Sequence, residues 1–324
     1  GGSFFNTYQV NLNNPYIPES LAQLYGDNLG LTAAEYAAAR NSQFGPTLAD
    51  GTANPDYVLV TSSIRRRTPE AGTRTSDFTT TLFNLVGGLR GDITDSIGWE
   101  VSGGYGESER IQRQGGFARL QRLEQSLLAI PDGAGGVQCV DPAGGCAPIN
   151  LFGPLGDLGS QEAIDYVFNL TQQVITQASL TQAAAIIDGD LGFGISASPI
   201  SFALGAEYRK YTATRLSDEA SQTPGAVVGG GGAAPDINGS YNVKDFFAEV
   251  AIPVIEDSFV RDLTLEAGGR YSDYSTAGGE FTWKVGGTLT PIDGITYRGN
   301  YQPAARAPDS AGRCTPVVTQ PSIV

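Results

Sequence analysis

The chain has 324 residues, enough for one large sheet or two ordinary domains, and 34 acidic against 20 basic side chains give it a net charge of −14. That balance argues against a nucleic-acid partner. Histidine is absent, which removes the commonest general base and zinc ligand, and no apolar run is long enough for a transmembrane helix.

The first helix signal in chain order is Thr32-Ala33-Ala34-Glu35, a capping-box pattern ahead of Tyr36-Ala37-Ala38-Ala39-Arg40. Arg65-Arg66-Arg67 reads as a solvated face, with contact to anionic lipopolysaccharide as the alternative. A hairpin is expected within 57–78. Leu89 and Trp99 are strand residues joined by a short connection, 90–96. A long connection then spans 112–187. It holds Cys139 and Cys146 around a Pro- and Gly-containing spacer that permits tight closure, so a disulfide is favoured over a free pair or a metal site. Cys314 is left over near the end. Ser160 is expected to cap a helix with Ile164, Val167, Phe168, Leu170, Val174 and Ile175 at helical spacing; such a helix either folds over a ligand or packs a small core of its own. Residues 196–200 form a short connection between strand residues Ile195 and Phe202. Another long connection, 212–240, contains the Gly229–Gly232 run, which lacks the strand-to-helix context of a phosphate cradle. Asn169 and Asn238 match the frequent glycosylation pattern.

From 263 to 301 the sequence alternates three times with a period of two. Leu263, Leu265, Ala267, Gly269 and Tyr271 share one face; Phe281, Trp283, Val285, Gly287 and Leu289 share another; Ile295, Tyr297, Gly299 and Tyr301 a third. The opposite faces carry Glu266, Arg270, Glu280, Lys284 and Arg298. A soluble sandwich needs one dry face turned inward. A barrel in lipid turns its dry face outward and can line its lumen with charge. Short connections alternating with long ones favour the barrel, the long ones extracellular. With that polarity Tyr105, Tyr208, Tyr271, Trp283 and Tyr301 are expected near the extracellular rim on the lipid side, and Trp99 at the opposite rim, as two membrane-interface girdles.

Several stretches carry a family resemblance. Asn13-Asn14-Pro15-Tyr16-Ile17-Pro18, the Cys139–Cys146 loop running into Pro148-Ile149-Asn150-Leu151-Phe152-Gly153, and Pro199-Ile200-Ser201-Phe202-Ala203-Leu204-Gly205-Ala206-Glu207-Tyr208-Arg209 resemble segments of TonB-dependent outer-membrane receptors of α-proteobacterial type. So do residues 243–253, Arg270-Tyr271-Ser272-Asp273-Tyr274-Ser275, Thr282-Trp283-Lys284-Val285-Gly286 and Ala305-Arg306-Ala307-Pro308, in the family's order. No single motif is decisive; the ordered set from 13 to 308 carries the resemblance.

The resemblance implies an all-β fold, an antiparallel transmembrane β-barrel of about 22 strands with short helices in long extracellular loops. About eight strands can be placed here. The family's plug domain, its TonB-gripping segment and its final strands have no counterpart in 1–324, and the chain, which opens on Gly1 and holds no Met, is expected to be an interior portion of such a barrel. The implied function is TonB-energised uptake of a scarce bulky nutrient, a ferric siderophore, cobalamin or an oligosaccharide, across the Gram-negative outer membrane. The implied partners are the TonB complex, reached through the plug, and outer-membrane lipid and lipopolysaccharide. No catalytic residue, metal or cofactor is expected, and the ligand-contacting residues cannot be assigned. A passive porin-like channel would share the barrel face. A secreted carbohydrate-binding β-sandwich would pair its apolar faces inward.

Overall fold

A computed structural model describes residues 3–303. In chain order, strand β1 (Ser3–Asn11) leads to helices α1 (Glu19–Leu29) and α2 (Ala33–Asn41), then β2 (Leu59–Arg67), which pairs antiparallel with β1. Two long strands follow, β3 (Thr75–Thr94) and β4 (Ile97–Gly115). Next come β5 (Ala118–Arg119), α3 (Leu120–Leu127), β6 (Ala129–Pro131), β7 (Val137–Cys139) and α4 (Gln161–Phe168). The chain then alternates between β8 (Thr171–Asp190), β9 (Ser201–Ser217), α5 (Glu219–Gln222), β10 (Val227–Val228), β11 (Ile237–Glu256), β12 (Asp262–Tyr274), β13 (Gly278–Ile292) and β14 (Ile295–Tyr301).

Eight of these strands form one antiparallel sheet in the order β14-β13-β12-β11-β9-β8-β4-β3. Neighbours in this wall follow one another in sequence, because each connection only has to reach the next strand. Connections at one end are short. Asp95 and Ser96 join β3 to β4, and Asp293 and Gly294 join β13 to β14, with Gly294 at a φ of 87° that its missing Cβ permits. At the other end, 116–170 and 218–236 join β4 to β8 and β9 to β11. Both loops are shorter than the sequence reading gave them, since β8, β9 and β11 extend well past the expected strand ends.

The core lies outside the wall. Tyr8, Val10, Leu12, Ile17, Val60, Ile64, Leu123, Leu127, Ile149, Leu158, Val167 and Phe168 pack together in a cap built from β1–β2, α1–α4 and the loops at the long-loop end. By contrast the wall leaves Leu85, Leu89, Val101, Leu204, Phe246, Leu265, Phe281 and Val285 exposed. A sheet with this much uncovered apolar surface is not the inner layer of a sandwich. Among the described residues no second sheet packs on it.

The sequence expectations need four corrections. Thr32 caps α2 as expected, its hydroxyl accepting from Glu35 N–H at 3.3 Å, and Ser160 caps α4 through Ala163 N–H at 3.2 Å. However, α4 stops at Phe168, and Val174 and Ile175 belong to β8, where pairing with β4 and β9 overrides their helical spacing. No hairpin forms within 57–78; β2 pairs with the distant β1 instead. Residues 191–200 carry no strand, so Ile195 lies in the turn region. Arg66 is buried while Arg65 and Arg67 are exposed, because strand alternation in β2 turns the middle side chain inward. Cys314 and the 305–308 motif fall outside the described residues.

Candidate functional site

Directly paired residues of an antiparallel ladder share a face, so the register sorts the wall side chains without ambiguity. Tyr271 opposes Phe281 and Phe246; Trp283 opposes Gly269; Tyr301 opposes Val285; Lys244 opposes Tyr208; Tyr105 opposes Leu85 and Thr181. Following these pairs across the sheet puts Trp99, Tyr105, Tyr208, Tyr271, Trp283 and Tyr301 on one face. Glu207, Asp245, Glu249, Glu266, Arg270, Lys284 and Arg298 lie on the other. Two further aromatics lie on the first face close to these and were not singled out in the sequence: Phe83, 6.4 Å from the Tyr105 ring, and Phe246, which opposes Tyr271. Both sit beside a second apolar residue, which blurred their alternation.

The aromatics form a stepped line. From β14 to β3 the succession Tyr301, Trp283, Tyr271, Phe246, Tyr208, Tyr105, Phe83 advances by two residues at five of the steps, always toward the long-loop end, and only β8 contributes none. The total advance is about ten residues, or roughly 33 Å along a strand, over seven strand spacings that together measure roughly 34 Å. Such a line is level when the strands tilt by about 45°, the upper end of the range for membrane barrels. Trp99 and Trp283 share one ladder row through Gly269, Ala248, Leu204 and Ile187. At that tilt the five intervening spacings bring Trp99 about 17 Å toward the short turns, less than the about 25 Å of a full apolar band.

Beyond the line, toward the long loops, the same face becomes polar: Glu107, Lys210, Asn242, Lys244 and Asp273. Some aromatics cover glycines across the ladder. The Trp99 indole lies over Gly91, where an added Cβ would come within 2.9 Å of its Nε1, and the Phe247 ring lies over Gly205. Each ring restores the packing that the glycine lacks.

The opposite face holds a charged network. Asp245 is fully buried and accepts from Arg209 Nη2 at 2.7 Å, Arg270 Nε at 3.1 Å and the Ser272 hydroxyl. Arg270 reaches on to Glu207 at 2.6 Å, and Lys284 donates to Glu249 at 2.7 Å. Two arginines on two acids leave no uncompensated charge, and their attraction and hydrogen bonds offset the desolvation cost of burying Asp245. Nearer the long loops, Tyr211 and Tyr241 stack at 4.9 Å between ring centroids and border a hollow of about 380 Å³ with Leu82, Leu180 and Ala213.

The cap is tied together by side chains gripping backbone. Asn11 is fully buried; its Nδ2 donates to Ala129 O at 2.6 Å while its Oδ1 accepts from Ala129 N–H at 3.0 Å. Asn14 donates to Leu127 O at 2.9 Å, and Asn13 to Ser42 O and Phe44 O. Arg40 reaches the carbonyls of Leu12, Asn14 and Ile17. Arg66 reaches those of Gly153, Pro154 and Asp157 and pairs with Glu70 at 2.9 Å. Cys139 and Cys146 are bonded, S–S 2.06 Å, seven residues apart at the edge of α3. Among the described residues no three His, Cys, Asp or Glu side chains gather as a metal site. No helix of the described residues is long and apolar enough to cross a membrane, which leaves crossing by strands open.

The chain matches the family model "TonB dependent receptor-like, beta-barrel" over residues 15–315. No curated protein and no solved structure matches it. A match over nearly the whole chain, on an antiparallel wall with one apolar and one charged face, establishes membership: this protein belongs to the TonB-dependent receptor-like β-barrel family, an outer-membrane transport family.

Proposed function

We propose that the chain forms part of the wall and the extracellular cap of a receptor that takes up a scarce, bulky nutrient with energy relayed by the TonB complex. The cargo class is a ferric siderophore, cobalamin or an oligosaccharide. The observation that carries this reading is the division of apolar surface. The wall leaves its leucines, valines and aromatics uncovered on one face, whereas the cap buries its own. That division suits a wall bathed in lipid and a cap bathed in water. The aromatic line supports a membrane interface at its level, with Tyr105, Tyr208, Tyr271, Trp283 and Tyr301 at the outer rim and Trp99 toward the inner one. The charged face then lines the lumen, and the Tyr211–Tyr241 hollow lies where cargo would pass from the cap toward the wall. No covalent chemistry is proposed. The Cys139–Cys146 bridge suits a cap that matures in the periplasm, where thiols are oxidised.

The test is uptake by cells that carry or lack the receptor gene, with and without TonB, using labelled candidates of the three cargo classes. Accumulation of one class that requires both the receptor and TonB is the expected result. Uptake that persists without TonB and runs only down its gradient would identify a passive channel instead.

A further inference from the structure

The sequence holds three lysines, Lys210, Lys244 and Lys284, among 20 basic residues. Lys284 lies on the charged face and is paired with Glu249. The other two lie on the apolar face, on adjacent strands, each two residues beyond an aromatic of the line: Tyr208 then Lys210 on β9, Phe246 then Lys244 on β11. Lys210 opposes Asn242 and Thr181, and Lys244 opposes Tyr208, so the two lysines are diagonal neighbours, a relation that separates residues by about 7–8 Å. Both are exposed, and neither ammonium makes a hydrogen bond or ion pair with another described residue. Asp273 stands directly across from Lys244 without coming within 4 Å. Glu107, at a similar height on β4, is engaged by the Tyr105 hydroxyl.

We infer that Lys210 and Lys244 form a binding site for the phosphorylated headgroup of an outer-leaflet glycolipid, with Asn242 and Thr181 as polar neighbours. The inference rests on the membrane-barrel reading above. Two like charges at this spacing repel, and one anion seated between them turns that repulsion into attraction. Their height selects the source of the anion. The two lysines follow Tyr208 and Phe246 on their strands toward the long loops, one same-face position beyond the aromatic line, at the level where apolar chains give way to headgroups. A free anion has no reason to prefer that level; a lipid whose chains lie along Leu204, Ala206 and Ala248 does. Arg65 and Arg67, the cations that the sequence offered for such a role, sit on the cap, away from the apolar wall.

The experiment uses the receptor purified in non-ionic detergent, mixed with diphosphorylated lipid A, with dephosphorylated lipid A, or with inorganic phosphate, and reads bound lipid by native mass spectrometry. The expected result is retention of the phosphorylated lipid alone. Lys210→Gln and Lys244→Gln should each weaken retention by roughly fivefold and the double variant by roughly thirtyfold. Lys210→Arg/Lys244→Arg should preserve it, and Arg65→Gln/Arg67→Gln should leave it unchanged. Equal retention by the double glutamine variant overturns the inference, as does displacement of the lipid by millimolar phosphate. The single variants decide the matter if the double variant does not fold. Wild-type receptor that stays dispersed without detergent would refute the barrel itself; lipid-blind receptor that needs detergent would refute only this site.

Discussion

Asn11 replaces a missing strand neighbour. Its amide both donates to and accepts from Ala129, as a backbone peptide would, and it does so with no exposure to water. Truncation to Ala would leave a buried N–H and a buried carbonyl unpaired, at a cost of about 3 kcal/mol. We expect Asn11→Ala to expose the cap to protease and lower its melting temperature while leaving the wall's strand content, read by circular dichroism, unchanged. Glu70 gives the cap a pH response. Burial pushes its carboxyl up, but the N–H groups of Glu70 and Gly156 and the Arg66 guanidinium outweigh burial and hold it below the usual carboxylate range. A carboxyl whose pKa is lower folded than unfolded stabilises the fold fully above about pH 4.3, and loses that contribution as pH falls through its folded value. Cap stability should therefore drop on acidification below about pH 4, and Glu70→Gln should be less stable at neutral pH and flatter across that window, as followed by thermal melts from pH 7 downward. The resemblance marked Asn13 and Asn14 as notable. Nothing in the sequence marks Asn11, because its partner stands 118 positions away.

The strands were the legible elements, because an apolar face and a charged face impose a period of two that survives in every row from Leu263 to Tyr301. The aromatics of the line were legible for the same reason. The cap was not. Its order comes from Arg40, Arg66 and three asparagines binding backbone carbonyls at long sequence separations, and such contacts leave no periodic trace. Between the two lie residues 171–175, whose apolar spacing fits a helix and whose ladder partners make a strand. The face assignment makes a sharp prediction at neighbouring positions of β12. Leu265 lies on the apolar face and Thr264 on the charged one. Leu265→Lys should cost about 2–4 kcal/mol of barrel stability and Thr264→Lys far less. Unfolding of the two variants from detergent by urea measures the difference, and equal costs would mean that the faces are misassigned.

At the scale of the whole molecule, the described residues form a wall that is an open sheet. Its end strands, β3 and β14, do not pair with one another. β3 carries Leu82, Phe83, Leu85 and Val86 on its two faces, all exposed. In lipid an unpaired strand edge is untenable, since each free N–H and C=O lacks the water that would satisfy it. Eight strands could close on themselves only with the tight curvature of a small barrel, and the luminal face argues against that. Arg209, Arg270, Asp245, Glu207, Phe247, Tyr211 and Tyr241 all project to one side. The interior of an eight-stranded barrel is only just wide enough for side chains to fill. A four-membered ion network and, a few residues nearer the long loops on the same strands, a pair of stacked tyrosines fit a broader circle, to which these strands would contribute one arc. We therefore expect residues 1–324 alone to aggregate in the absence of detergent and to give no stable, uniform conductance in a planar bilayer. Joining the same residues to the further strands that such a circle needs should restore heat-resistant folding. A reproducible single-channel step from 1–324 alone would show instead that these eight strands are a complete small barrel.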